Sequence, residues 1–111
     1  MRHVTYSEKS LLVDDDAAEA LIEYARLLAQ SGDSDTVTLS AIGADGNNVD
    51  ATFLLTPSTI LMVETANSTA TPPPNPETTE WLRDRIRRYS AVNSPGPEED
   101  EEESESDEEM I

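Results

Sequence analysis

The sequence predicts an α+β fold: a small antiparallel sheet (a β-hairpin, a helix, then a three-stranded meander) packed on one helix, with a second C-terminal helix and a disordered acidic tail. Three observations lead there. Val37, Leu39 and Ala41 alternate with Thr36, Thr38 and Ser40, and Val49, Ala51, Phe53 and Leu55 alternate with Asp50 and Thr52, the period of half-buried strands. Leu21, Tyr24, Ala25 and Leu28 fall at i, i+3, i+4 and i+7, the stripe of an amphipathic helix. Residues 94–111 hold ten of the chain's 24 acids and no base, a run that self-repulsion keeps solvated.

The elements follow in order. Residues 3–6 and 10–13 flank the polar trio Ser7, Glu8 and Lys9, which reads as a hairpin. Three aspartates then end the strand, and Asp16 with Glu19 three residues on has the spacing of a capping box. A helix begins there and ends near Ser31, because Gly32 stands where a left-handed C-cap belongs. The hairpin of 36–41 and 49–55 turns through Gly43-Ala44-Asp45-Gly46-Asn47-Asn48, whose Asp-Gly pair tolerates positive φ. Pro57 presets a second turn, after which 60–64 returns as the third strand of the meander. Four prolines within 65–76 favour an extended arm. Asn75 as N-cap and Pro76 at the first helical position open the last helix, which runs to about Tyr89 with Leu82, Ile86 and Tyr89 on one face. The organisation expected is a core at 1–64, the arm at 65–76, the helix at 77–90 and the tail at 91–111. Core candidates are Leu12, Leu21, Leu28, Leu39, Phe53 and Met62.

Composition removes many functions. The chain has 111 residues, no Cys and one His, so thiol chemistry and thiolate metal sites are excluded and disulfides with them. His3, lone and near a terminus, reads as an ordinary strand residue. The Asp14-Asp15-Asp16 run could ligate magnesium, but acids at a helix start serve its free N–H groups and positive dipole end. The two-glycine turn lacks the Lys-Ser/Thr of a phosphate loop and the distal Glu of an EF-hand, and no Gly-x-Ser-x-Gly elbow accompanies the many hydroxyls. No catalytic residue, metal or cofactor is expected, and no enzyme activity. The longest apolar run is four residues, 60–63, too short to span a membrane. Arg2 precedes no apolar run of a leader, so a cytoplasmic location is expected.

Charge points to partners. The formal net charge is -17; with the ten tail acids set aside, seven bases face fourteen acids on residues 1–93. Duplex DNA and anionic lipid would be repelled, whereas a protein with a basic surface would be attracted. Two segments stand out as contact candidates. Trp81, Arg83, Arg87 and Arg88 gather on the last helix, and Trp and Arg are the types most enriched at interface hot spots. The acidic tail, led by Glu98, Glu99, Asp100, Glu101, Glu102 and Glu103, either solubilises or mimics a polyanion.

Six Arg against one Lys and phrases such as Ala-Thr-Phe-Leu-Leu at 51–55 resemble short, acidic, uncharacterised actinobacterial proteins over residues 3–90. The resemblance carries no functional residue. The function expected is a small non-enzymatic protein-binding or regulatory module. The alternative is a regulator whose tail occupies a basic site on a DNA- or RNA-binding protein; a third is a structural component of an assembly, joined through open strand edges.

Overall fold

The computed structural model describes residues 1–6 and 8–93, with side chains to residue 91. Five strands, β1 (Arg2–Tyr6), β2 (Lys9–Val13), β3 (Asp35–Ile42), β4 (Asn48–Leu55) and β5 (Leu61–Thr65), form one antiparallel sheet, with helices α1 (Asp15–Ser31) after β2 and α2 (Pro76–Asn93) after β5. The α+β class is the one the alternation and the helical stripe predict. The last helix continues to Asn93, past the expected boundary at 90, and the expected tail from residue 94 onward lies outside the described residues.

The strand order is β4-β3-β2-β1-β5. The expected meander is therefore corrected: β5 leaves β4 and pairs with β1, with Val63 opposite Val4. The end of β4 is sealed against it. The Leu54 carbonyl accepts from the Tyr6 hydroxyl at 2.8 Å and from the Thr59 hydroxyl at 3.1 Å, while Thr59 Oγ1 also accepts from the Thr56 N–H at 2.7 Å. Side chains thus occupy the backbone acceptor that a β4–β5 ladder would use. The sheet also curls. Tyr6 and Phe53 belong to strands three ladders apart, which in a flat sheet would separate them by about 14 Å, yet their rings meet edge-on at 5.7 Å. The bend falls between β2 and β3, which share one bridge, Leu12 to Ile42.

The helices cover one face of this sheet. Val4, Val13, Leu21, Tyr24, Leu28, Leu39, Phe53, Leu55 and Leu82 form the core. Leu21, Leu28, Leu39 and Phe53 are where the sequence predicts; Leu12 and Met62 are not. Leu12 is only half-buried, and Met62, 49% exposed, lies on the opposite face from Leu61 and Val63. Both sit in unbroken apolar runs, so no alternation marks which parity faces inward, and the cross-strand register decides it.

Helix α1 is capped two residues earlier than the Asp16–Glu19 box implies. Asp14 is the N-cap, its carboxylate accepting from the Ala17 N–H at 3.2 Å. Asp15 instead takes the N-terminal amine at 2.7 Å and Arg2 at 3.4 Å. Gly32 closes the helix at φ 71° as the sequence predicts, with the Asp33 N–H reaching the Leu28 carbonyl at 3.0 Å, the long bond of a Schellman motif.

Asn75 joins α2 to the sheet. Its carbonyl accepts the first helical bond, from the Thr79 N–H at 2.8 Å. Its side chain, however, turns to β3 rather than to its own helix: Oδ1 accepts from the Ser40 N–H at 2.7 Å, and Nδ2 donates to the Ser40 carbonyl at 2.9 Å and to Asp14 Oδ1 at 2.8 Å. By the β2–β3 register, Ser40 would face position 14, where β2 has already ended. The Asn75 carboxamide supplies both halves of the missing strand bridge.

Candidate functional site

Helix α2 presents three sides to its surroundings. At about 100° per residue, Leu82, Ile86 and Tyr89 point into the protein, and Leu82 is fully buried. Trp81 lies on one flank, while Arg83 and Arg87 lie across the helix from it. The candidate set is therefore split, although all four residues share one element. Arg83 and Arg87 border a shallow cleft of about 390 Å³ against the start of α1, along with Asp14, Asp16, Asn75 and Glu80. Arg87 and Arg88 both reach Asp84, at 3.5 and 3.0 Å.

Trp81 belongs to a different cluster. Tyr24, on the apolar stripe of α1, is fully buried and donates its hydroxyl to Asp35 Oδ2 at 2.5 Å, at the first residue of β3. A buried phenol needs an acceptor, and the short link to a carboxylate meets that need. Arg85 of α2 approaches the same pair, with Nε 3.4 Å from the Tyr24 oxygen and a terminal nitrogen 3.7 Å from Asp35. Its guanidinium lies 5.2 Å from the centre of the Trp81 ring, within the range of cation–π attraction. Tyr24 meets Trp81 edge-on at 5.8 Å and Tyr89 at 6.0 Å, and the Tyr89 hydroxyl donates to Asp33 at 2.8 Å.

This network sets the chemistry available at the corner. Burial, and then donation to Asp35, push the Tyr24 phenol above its ordinary range. The bond to the Tyr24 oxygen, ahead of the charge of Asp35, holds Arg85 still more firmly protonated. Donation to Asp33 likewise raises Tyr89. No phenol is driven toward phenolate, so the corner offers fixed donors, one cation and ring faces. Trp81 remains 41% exposed above them. Its ring is supported from two sides, by Tyr24 and by Arg85, and open on the remainder.

Arg85 is the residue that sequence reasoning missed. The i, i+4 spacing from Trp81 was available to find it; its role is invisible without Tyr24 and Asp35. The other motifs serve local structure. His3 is half-buried on β1, opposite Leu12 and Glu64. In the glycine turn, the Gly43 N–H bonds to the Asn47 carbonyl at 2.9 Å and Gly46 adopts φ 86°. Among the described residues no three His, Asp or Glu side chains come together as a metal site, and no helix is long and apolar enough to cross a membrane. Compared with protein-family models, with curated proteins and with solved structures, the chain matches none.

Proposed function

We propose that the chain is a small non-enzymatic protein-binding or regulatory module whose contact surface is the Trp81 corner and whose partner presents a basic surface. The observation that carries the reading is the half-exposed Trp81 ring, braced by Tyr24 and Arg85. A large aromatic already held in place gives up little side-chain entropy on binding, which is why such residues dominate interface energies. The charge of -17 selects among partners: it raises the encounter rate with cationic surfaces and opposes approach to nucleic-acid phosphate.

The acidic run from Glu98 onward favours a second reading, in which the tail imitates a phosphate backbone and occupies a basic site on a DNA- or RNA-binding protein. One experiment separates the two. Affinity capture is performed with the full chain, with full-chain Trp81→Ala, and with a full chain whose six acids at 98–103 become Gln or Asn. Loss of the captured protein with Trp81→Ala supports the corner; loss only with the neutralised tail supports mimicry. Capture indifferent to both changes would refute both readings.

A further inference from the structure

The outward ridge of α2 lies outside the cluster of Trp81, Tyr24 and Arg85. Arg83, Arg87 and Arg88 lie on it, and the Arg87 and Arg88 side chains are 68% and 70% exposed. Two guanidiniums there share the single carboxylate of Asp84, and Arg83 makes no ion pair among the described residues. Of the acids on the α1 side of the ridge, Glu19 pairs with Arg2 at 2.9 Å and Glu23 with Arg26 at 2.5 Å, Asp14 is taken up by the Ala17 N–H and Asn75, and Asp16 borders the cleft beside Arg83 and Arg87. The remaining acids of the ridge, Glu77 and Glu80, lie toward the N-terminal end of the helix. The C-terminal half of α2 is thus a cationic surface on an otherwise acidic chain.

What the chain places next to it is its own acid run. We infer that the acidic segment at 98–103 docks on the Arg83, Arg87 and Arg88 ridge of the helix it follows. Charge complementarity and chain length both argue for this occupant. Along the helix, Arg88 is about 8 Å and Arg83 about 15 Å from Asn93, at 1.5 Å per residue. From Asn93, five residues reach Glu98 and ten reach Glu103, at most about 17 and 35 Å of chain. The acids can therefore fold back over all three cations. Tethering makes the encounter intramolecular, at an effective concentration in the millimolar range. Folding back also answers an unfavourable juxtaposition, because α2 has no base in its last turn and its C-terminal end carries the negative pole of the helix dipole. The acids gain by lying beside the arginines one to three turns inside that end.

The absence of cysteine makes the test direct in the full chain. Ser104→Cys carries a nitroxide spin label, and the backbone amides of α2 report its proximity by line broadening. At about 10 mM salt, where the screening length is about 30 Å, the amides at 83–91 are expected to lose about half their intensity or more. At about 1 M salt, where it is about 3 Å, that loss should be largely relieved. The full-chain triple variant Arg83→Gln, Arg87→Gln, Arg88→Gln, checked for an unchanged amide pattern elsewhere, should relieve it at low salt as well. Broadening that is equal at both salts, that persists in the triple variant, or that centres on Lys9 and the β1–β2 turn would overturn the inference. The unmodified ridge and the salt comparison decide it even should the triple variant fail to fold. The outcome is independent of the Trp81 corner, which these changes leave in place.

Discussion

Replacing Asn75 by Ala removes the side chain that stitches the start of α2 to the middle of β3. The residue is 8% exposed, and four bonds go with it: from the Ser40 N–H, to the Ser40 carbonyl, to Asp14 and, at 3.4 Å, to the Pro73 carbonyl. Each neutral bond contributes about 0.5–1.5 kcal/mol net, and a buried backbone group left without a partner costs about 1–3 kcal/mol more. Ser40 is only half-buried, so water recovers part of that penalty, and the expected loss is about 2–4 kcal/mol. For a domain of this size each kcal/mol lowers Tm by roughly 4–8 °C. Urea unfolding followed through Trp81 fluorescence and far-ultraviolet circular dichroism measures it. Ser40→Ala is the control, since it keeps the backbone groups and removes only a hydroxyl that bonds to exposed Asp50; it should change stability by less than about 0.5 kcal/mol. An Asn75→Ala midpoint indistinguishable from that of Ser40→Ala would refute the stitch.

Leu21→Ala and Phe53→Ala should each cost about 2–5 kcal/mol, whereas Leu54→Ala, on the outer face at 51% exposure, should stay within about 0.5 kcal/mol; equal losses at Phe53 and Leu54 in the same urea titration would mean the strand faces are misassigned. The Thr79 hydroxyl is buried without a hydrogen-bond partner among the described residues, so Thr79→Val should raise stability by about 0.5–1.5 kcal/mol, and a lowered midpoint would show the hydroxyl to be satisfied. Tyr24→Phe should cost about 1–2 kcal/mol at neutral pH. Because the folded phenol ionises above its ordinary value of 10.0, its stabilising contribution is full below that pH and is lost as pH rises through the raised value. Thermal melts between about pH 9 and 11 should therefore show a steeper decline for the parent chain than for Tyr24→Phe, and parallel declines would count against the buried link to Asp35.

The parts of the fold legible in the sequence are those written in local pattern. The stripe from Leu21 to Leu28, the alternation through Leu39 and Phe53 and the cap glycine Gly32 each announce their own element. Pairings between distant segments leave no such mark. Which strand receives β5 depends on the Tyr6 and Thr59 hydroxyls sealing Leu54, and Asn75 reads locally as a helix cap although its partners lie 35 and 61 residues away. The candidate site was half visible. Trp81 was identifiable by residue type, but its arginine neighbours on the sequence, Arg83 and Arg87, fall across the helix, and Arg85 acquires its position only when Tyr24 and Asp35 are brought to it.

The claim that Trp81 and its surroundings form the contact surface is tested most directly by site-specific photo-crosslinking. A photoactivatable phenylalanine at position 88, on exposed α2 beside the Trp81 flank, is compared with the same residue at position 52, on the exposed outer face of β4, in extract of the source cells. A discrete adduct is expected from position 88 that disappears when Trp81→Ala is added, and none of that mass from position 52. Adducts of the same mass from both positions, or an adduct from position 88 that survives Trp81→Ala, would contradict it.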